Sequence, residues 1–458
     1  MKPDKPVASP KLLLKILSLF LFVMLCLPGL QRWLNLTEER ALDGYSPRVA
    51  ENPDFTNSGW LSGTYQQQKE DWLNEHFGYR NTLLRLHNQI GYSWWNHSYT
   101  NAVIVGHDGY LFDQKYINAW NGSDFFGEEK IAEQVKKLAQ VQQQLAELGT
   151  TVVVVLAPGK GSFFNSYIRG DDAKVKGETN YDAYLKHFKT SGINHIDGRN
   201  WFESWRKTSQ YPLFPKCGIH WSSYSATLVT DSLNRYIGNL RGTVLAPLVI
   251  DKMIISDSVS LTDSDVGRGM NLLFEPEGFQ MAYPVYHFDR SKSTEQPSLL
   301  AIGDSYYWTH DPGRFNRNVY SSTDFYYYNR DWHPIGEAQR KVNPREALQQ
   351  AVSHDVVVIY CTDANLPEFG WGFIEQVYEQ LKTSPRLPEM KQKPLKTGLS
   401  TSFTRTIPAD VSQMMISIRS DDSWFAAIKA KALQKGISAD SMLYLDAKFM
   451  IDEQKKKK

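Results

Sequence analysis

The stretch "TVVVVLAP" (Thr151–Pro158) decides the fold class of this chain. Its four consecutive valines do not alternate with polar residues, which is typical of a strand buried on both faces of a parallel sheet. A segment of strong helix formers, "EKIAEQVKKLAQVQQQLAELG" (Glu129–Gly149), comes directly before it and ends on a C-cap glycine. A helix that leads into a fully apolar strand predicts an α/β fold.

The same order returns in "NPREALQQAVSHDVVVIYCTDANL" (Asn343–Leu366). Asn343 caps the helix, Pro344 takes its first position and Glu346 completes a capping box. The helix leads to a second apolar strand at Val356–Tyr360. Alternating strands and helices predict a doubly wound, mostly parallel sheet, in which ligands bind beyond the carboxyl ends of the strands.

One such strand end carries a candidate nucleophile in "LLAIGDSYYWTH" (Leu299–His310). Gly-Asp-Ser is also an ordinary turn sequence, so Ser305 needs a partner before it indicates catalysis. A serine hydroxyl is a weak nucleophile without an adjacent base. His220 in "KCGIHWSSYSA" (Lys216–Ala226) is the candidate base, although a lone histidine is more often structural.

Charge and cysteine content exclude several other classes of protein. The 51 basic and 50 acidic residues among 458 give a net charge of +1, which argues against a general nucleic-acid binder. Three cysteines, Cys26, Cys217 and Cys361, exclude a disulfide framework and a cysteine-rich zinc site. We therefore expect no metal and no cofactor.

The N-terminal region predicts a membrane anchor. Lysines precede the apolar run "LLLKILSLFLFVMLCLPGL" (Leu12–Leu30), which favours a cytoplasmic N-terminus and a globular part on the far side of the membrane. A removed signal peptide is the alternative, but no small-x-small cleavage site follows the run. We expect a single-pass protein of the inner (cytoplasmic) membrane with its globular part in the periplasm or outside the cell.

Several blocks occur in a characteristic order: "VVVVLAPGK", "NHIDG", "GIHW", "AIGDSYYW" and "VVVIYCTDAN". The histidine block precedes the serine block, so the chain resembles a circularly permuted SGNH hydrolase of the alginate O-acetyltransferase family. "YQQQKEDWLNEHFGYRN" and "GHDGYLF" resemble the opening of that family, and the resemblance covers about residues 55–380. It implies that an acetyl group moves through an acyl-serine to hydroxyls of a cell-envelope polysaccharide. It also implies that a membrane-bound O-acyltransferase partner supplies the acetyl group.

The resemblance also assigns roles to particular residues. Ser305 matches the nucleophile, His220 the base, and Asn365 the asparagine that donates to the oxyanion together with the backbone N–H of Ser305. One position departs from the family pattern. The family has an acid two residues before the histidine, where this chain has Gly218. That acid normally holds the imidazole in its working tautomer.

Three explanations of Gly218 stay open at this point. Another carboxylate, Asp197, Asp263 or Asp265, reaches His220; a carbonyl or water serves a Ser–His dyad; or the domain is a non-catalytic scaffold that binds glycan. Asp197 is favoured because it ends the strand-like "INHIDG", whereas Asp263 and Asp265 lie in a polar loop and are expected to be solvated. A carbohydrate acetylesterase that uses the same Ser–His pair is a further alternative.

The predicted domain boundaries follow from the shifts in composition. They are 1–11 for the cytoplasmic N-terminus, 12–30 for the signal-anchor, 31–57 for a linker, 58–380 for the SGNH-like acyltransferase domain, 381–402 for a second linker and 403–458 for a helical C-terminal extension.

Overall fold

The computed structural model describes most of the chain up to residue 383. The described residues are 10–44, 51–175, 177–258, 260–315, 318–335 and 337–383, with 414, 418, 427, 428, 431, 442, 443 and 446–450 beyond them. The predicted second linker (381–402) and C-terminal extension (403–458) therefore lie largely outside the described residues, and so do the first nine residues.

Helices surround a central sheet. Their bounds are α1 Pro10–Leu34, α2 Asn57–Ser62, α3 Thr64–His76, α4 Arg80–Trp95, α5 Gln114–Asn121, α6 Glu128–Glu147, α7 Lys160–Phe163, α8 Asn180–Ser191, α9 Gly198–Arg206, α10 Ser223–Arg241, α11 Asp265–Gly269, α12 Pro312–Phe315, α13 Ala347–Ser353 and α14 Phe373–Thr383. The strands are β1 Val103–Val105, β2 Leu111–Asp113, β3 Thr151–Ala157, β4 His195–Asp197, β5 Leu248–Ser256, β6 Met281–Phe288, β7 Ser298–Gly303, β8 Ser322–Tyr327, β9 Asp331–Pro334, β10 Arg340–Lys341 and β11 Val356–Thr362.

The central sheet has the strand order β10-β9-β8-β7-β11-β3-β4. The five strands from β8 to β4 are parallel, and β9 and β10 continue the sheet antiparallel at one edge. The predicted doubly wound, mostly parallel sheet is confirmed. Two small antiparallel ribbons, β1–β2 and β5–β6, lie apart from it.

The valine run of β3 explains why both faces of the sheet are covered. Val153 and Val155 pack into one buried cluster with residues of α9 and α10, while Val152 and Val154 pack into the opposite cluster with α6 and α8. A strand buried on both sides cannot alternate apolar and polar residues. The two clusters fix the register of the sheet and therefore the positions of the strand ends.

The N-terminal helices differ in detail from the sequence reading. α1 runs unbroken through Pro28 and is, among the described residues, the one helix that is long and apolar enough to fit a single-pass anchor. The sequence of Tyr65–Trp95 has apolar residues at roughly helical spacing, which predicts one helical stretch, and the structure divides it into α3 and α4. The break coincides with Tyr79, whose φ of 55° lies in the left-handed region that a helix cannot contain.

Candidate active site

Ser305 stands just beyond the carboxyl end of β7, where the sheet predicts a ligand site. Asp304 caps the short 3-10 segment that begins at Ser305, since its carboxylate accepts a hydrogen bond from Tyr306 N at 3.1 Å. Ser305 is half-buried, whereas the residues on both sides of it are buried. The turn therefore presents one hydroxyl at the end of an otherwise enclosed strand.

His220 meets Ser305 from the segment that precedes α10. Its Nε2 lies 2.9 Å from Ser305 Oγ, and its Nδ1 lies 3.1 Å from Asp265 Oδ2. The tautomer that satisfies both contacts carries its proton on Nδ1, donates it to Asp265 and accepts the serine proton at Nε2. The three side chains form the serine–histidine–aspartate arrangement that activates a serine nucleophile.

Two contacts tie the His220 segment to the nucleophile turn. Tyr306 donates its hydroxyl to Ile219 O at 2.7 Å, and Trp221 Nε1 donates to Thr309 Oγ1 at 2.7 Å. The ring of Tyr306 also lies 4.9 Å from the imidazole of His220, centroid to centroid. The aromatic residues after Ser305 thus position the base against the serine.

Asp265 begins α11 and is oriented by backbone amides. Its Oδ1 accepts from Ile219 N at 2.9 Å and from Val266 N at 2.8 Å, which leaves Oδ2 for His220. The Asp265 side chain is 34% exposed, whereas that of His220 is 14% exposed. The acid is therefore fixed in direction while it stays partly hydrated.

Gly218 explains how this acid arrives. A Cβ at Gly218 would stand 2.5 Å from Thr262 O and 2.8 Å from Asp263 O, too close for any side chain. Glycine is the residue that permits such a close approach of two backbones. The absence of a side chain at position 218, where the family has its acid, is thus what admits the segment that carries Asp265.

The structure corrects the prediction for Asp197. Its Oδ1 accepts from Tyr181 Oη at 2.8 Å and from Asn200 N at 3.1 Å, as the N-cap of α9. It ends β4, which two strands, β3 and β11, separate from β7. Neighbouring strands lie about 4.8 Å apart, so the ends of β4 and β7 are roughly 14 Å apart. The expectation that Asp265 is merely solvated is also wrong, and Asp263 is buried rather than solvated.

Asn365 lies at the predicted strand end, and its side-chain amide contacts the nucleophile turn through Asp304. Its Nδ2 donates to Asp304 Oδ2 at 2.9 Å and to Thr362 Oγ1 at 3.1 Å, and those two acceptors are themselves 2.8 Å apart. Because the three distances are nearly equal, the acceptors lie on one side of the amide nitrogen. Both N–H bonds of the amide can engage these acceptors, so Asn365 ties the end of β11 to the nucleophile turn.

A cavity of about 250 Å³ adjoins Asn365. Asp124 also lines it, and burial raises the pKa of that carboxyl to about 6. Lys115 and Asn118 provide further polar groups on the wall. The cavity is large enough for a small polar group beside the nucleophile turn. Among the described residues, no group of three or more His, Cys, Asp or Glu side chains is placed to hold a metal ion.

Two further residues of the site were missed in the sequence. Tyr328 follows β8 in a left-handed conformation (φ 52°); burial raises the pKa of its hydroxyl, and its proximity to Ser305 opposes that shift. Lys160 lies after β3, and its Nζ donates to Lys216 O at 2.6 Å and to Gly218 O at 2.9 Å. "LAPGK" at a strand end was a visible signal for Lys160, whereas "FYYYN" gave none for Tyr328.

These features define an SGNH hydrolase-like domain with a complete serine–histidine–aspartate chain. Residues 103–245, which include His220 and end before Asp265 and Ser305, match the family described as the SGNH hydrolase-like domain of acetyltransferase AlgX. The match confirms the predicted resemblance to the alginate O-acetyltransferase family and the predicted class of enzyme, an SGNH-like O-acetyltransferase.

Three solved structures are similar in fold to this chain. The O-acetyltransferase domain of Pseudomonas putida AlgJ has a TM-score of 0.40 and 14% identity, over 61% of this chain and 99% of its own. Bacillus cereus PatB1 with a sulfonyl adduct has a TM-score of 0.40 and 12% identity, over 60% and 99%. Pseudomonas aeruginosa AlgX has a TM-score of 0.39 and 12% identity, over 60% and 67%. At these TM-scores the likeness carries no argument about the site. No curated protein sequence matches this chain.

Proposed function

We propose that this protein transfers acetyl groups to hydroxyls of a cell-envelope polysaccharide through an acetyl-serine at Ser305. The observation that carries the proposal is the chain of contacts Asp265 Oδ2 to His220 Nδ1 at 3.1 Å and His220 Nε2 to Ser305 Oγ at 2.9 Å. The match of residues 103–245 to the SGNH hydrolase-like domain of acetyltransferase AlgX supports acetyl transfer, and the resemblance to the alginate O-acetyltransferase family supports a polysaccharide acceptor.

In the first half-reaction His220 Nε2 takes the proton of Ser305 Oγ as that oxygen attacks the acetyl carbonyl carbon. The imidazolium that forms is stabilised by Asp265, and its proton passes to the leaving group of the donor. In this proposal the oxyanion accepts from the backbone N–H of Ser305 and from the amide of Asn365, the two donors that the family resemblance assigns. Each such donor is worth about 3–4 kcal/mol of transition-state stabilisation.

In the second half-reaction a sugar hydroxyl loses its proton to His220 Nε2 and attacks the acetyl carbon. The bond from that carbon to Ser305 Oγ breaks, and the serine oxygen regains the proton from the imidazolium. If water takes the place of the sugar, the same steps make an acetylesterase. The scaffold alternative rested on Gly218, and Asp265 restores the acid whose loss motivated it.

Membrane anchoring through α1 fits this function, since donor and acceptor both belong to the cell envelope. We propose that α1 spans the inner membrane, that the globular part lies in the periplasm, and that this part receives acetyl groups from a membrane-bound O-acyltransferase. The predicted boundaries, with the acyltransferase domain at 58–380, belong to the same proposal.

The test uses the full chain in detergent with 4-nitrophenyl acetate as donor and an uncharged oligosaccharide as acceptor. Acetyl-Ser305 should appear in the peptide mass spectrum of the wild type and be absent from Ser305→Ala. Ser321→Ala, which changes a serine exposed on the surface, should match the wild type. Acetyl-oligosaccharide shows a transferase; acetate alone, at a rate that the acceptor does not change, shows an esterase. No acetylated Ser305 in the wild type would overturn the proposal and favour the scaffold.

A further inference from the structure

The length of α1 sets a depth scale for the residues that contact it. The candidate membrane span runs from Lys11 to Leu34. With Lys11 at the cytoplasmic headgroups and a rise of about 1.5 Å per residue, Pro28 lies ~26 Å along the axis. The hydrocarbon core of a bilayer is about 30 Å thick, so Pro28 comes close to its outer boundary. This step rests on the anchor in the proposed function.

The turn between α3 and α4 contacts α1 at this level. A Cβ at Gly78 would stand 2.1 Å from Pro28 O and 3.0 Å from Gln31 Cβ, so the backbones of the turn and the helix touch. Gln31 is buried, although its neighbours on α1 are mostly exposed. The beginning of α4 therefore lies at the outer boundary of the hydrocarbon core and not far out in water.

The helix α4 carries its apolar stripe on the outside. Leu83, Leu86, Ile90 and Trp94 recur with helical spacing, and we call them the outer stripe. Leu83 is 42% exposed and Trp94 72% exposed. A surface helix of a soluble domain turns such a stripe to the core.

The opposite face of α4 makes the polar contacts with the rest of the protein. Arg85 Nη1 donates to Arg40 O at 2.9 Å, and Asn88 Nδ2 donates to Met270 O at 2.9 Å. Phe77, which is 50% exposed, lies in the turn beside Gly78. The apolar surface of α4 is thus turned away from the domain by contacts that fix the helix's rotation.

We propose that the outer stripe lies in the interface of the outer leaflet, with lipid as its occupant. An amphipathic helix with its apolar face in the headgroup–acyl boundary is a stable arrangement, and tryptophan is enriched at that level. The helix α4 then lies along the membrane, and the anchor and the helix together orient the domain. A protein partner on the same surface is a different outcome of the test.

This orientation places the active site near the membrane. Asn88 holds Met270, which follows directly after α11, and α11 begins with the acid Asp265. Asn271 exchanges hydrogen bonds with Asp43, a residue of the segment that follows α1. The elements at the membrane surface thus continue without a gap into the helix that orients His220, where an acetyl donor from the membrane would arrive.

The test places spin labels on the full chain in vesicles of phosphatidylcholine and phosphatidylglycerol. In a Cys26→Ser background, which leaves the two buried cysteines, the labelled variants are Leu83→Cys, Ile90→Cys and Trp94→Cys. Ser321→Cys, an exposed position just before β8 and at the end of the parallel sheet opposite to Ser305, is the water control, and Leu19→Cys in α1 tests the anchor itself. The three stripe labels should collide more often with oxygen than with a polar nickel complex, at similar depths, and the control should show the reverse.

Three results would overturn the inference. Stripe labels that favour the nickel complex place the stripe in water. Stripe labels shielded from both reagents and immobilised show a protein partner or a second copy. A label at 83 in lipid with a label at 94 in water shows that α4 rises from the membrane. Because acetylation of Ser305 is measured separately on the same samples, a failure of the proposed chemistry is distinguishable from a failure of this surface, and Leu19→Cys isolates a failure of the anchor.

Discussion

Two aspartates adjoin the Ser305–His220 pair, and they differ in burial and in hydrogen-bond partners. Asp304 is fully buried, and its carboxylate accepts from Tyr306 N, Thr362 N, Thr362 Oγ1 and Asn365 Nδ2. Asp265 is one-third exposed and shares its oxygens between backbone amides and His220. The enclosed carboxylate thus holds the nucleophile turn together, while the hydrated one contacts His220 and is the acid of the proposed chemistry.

The largest effect is expected for Asp265→Asn. The amide oxygen can keep the bonds to Ile219 N and Val266 N, but the NH₂ group then faces His220 Nδ1 and forces the proton to Nε2. An imidazole with its proton on Nε2 cannot accept the serine proton, so turnover of an acetyl ester should fall about 10⁴-fold.

The free energy of unfolding of this variant, measured in urea, should stay within about 1 kcal/mol of the wild type, because the exposed amide remains hydrated. Turnover within tenfold of the wild type would show that Asp265 does not orient His220.

Asp304→Asn, the same chemical change, should act on stability first. Three of the four donors meet Oδ2, so the amide oxygen takes that position, and the NH₂ group then faces Tyr306 N in a buried donor–donor contact. Burial raises the pKa of Asp304, and the donors that surround it oppose that shift. A buried donor without a partner costs about 1–3 kcal/mol, so the free energy of unfolding in urea should fall by about 1–3 kcal/mol.

A stable Asp304→Asn protein with a selective loss of turnover would contradict this distinction. It would make Asp304 a participant in the chemistry, and the contrast between the two aspartates would disappear.

Gly218→Ala tests whether the missing family acid and the new acid are linked. The added methyl group displaces the backbone at Thr262 and Asp263, which carries Asp265 away from His220. Overpacking of this kind costs about 1–3 kcal/mol in stability. Because a displacement of about 1 Å at a catalytic group can cost 10²-fold in rate, turnover should fall by roughly 10- to 100-fold.

Gly269→Ala is the matched control, because it lies at the end of the same helix α11 and its Cβ meets nothing within 4 Å. Equal losses in the two variants would show that the effect is general to this region and not due to the approach at Gly218.

The sheet could be predicted because its signal is local. β3 and β11 are unbroken apolar runs preceded by helices with clear caps, and their burial on both faces follows from that pattern alone. Ser305 and His220 could be paired because Ser305 follows a predicted strand and because the family resemblance assigns the nucleophile and the base to these two residues. Nothing local marks Asp265, which lies 45 residues from His220 in a polar stretch.

The sequence also gives no local signal for the lateral order of the strands in the sheet. Asp197 was favoured because it ends a strand, but chain order does not show that β4 lies at the far edge of the sheet. Gly218 carried the one useful signal. A glycine where the family has an acid indicates a close approach, yet which segment approaches is decided by the tertiary fold.

Lys160→Met should remove a pH dependence of stability. Burial lowers the pKa of Lys160 to about 7 from its ordinary 10.5, so between these values the unfolded chain binds the proton that the folded protein has lost. Stability therefore rises with pH in this window, by on the order of 2 kcal/mol between pH 7 and pH 9.

Urea unfolding at the two pH values should show this rise in the wild type relative to Lys160→Met. Burial is the largest influence on the pKa of Lys160. Cys217 and Asp265 raise this pKa by less than burial lowers it, and Lys216 lowers it further. Parallel changes in the two proteins would mean that Lys160 keeps its charge throughout.

The smallest effect is expected for Asp197→Asn, which completes the series of aspartate-to-asparagine changes. Tyr181 Oη and Asn200 N both donate to Oδ1, so the single amide oxygen of asparagine can accept both, and asparagine is as good an N-cap as aspartate. The loss of stability should stay below about 1 kcal/mol, and turnover should match the wild type within twofold, since roughly 14 Å separates the ends of β4 and β7. Measured beside Asp265→Asn on the same ester, this variant separates a strand-end carboxylate that caps a helix from the one that orients His220. A loss of turnover at position 197 comparable with that at 265 would mean that proximity to the sheet edge, and not contact with the imidazole, decides which acid matters.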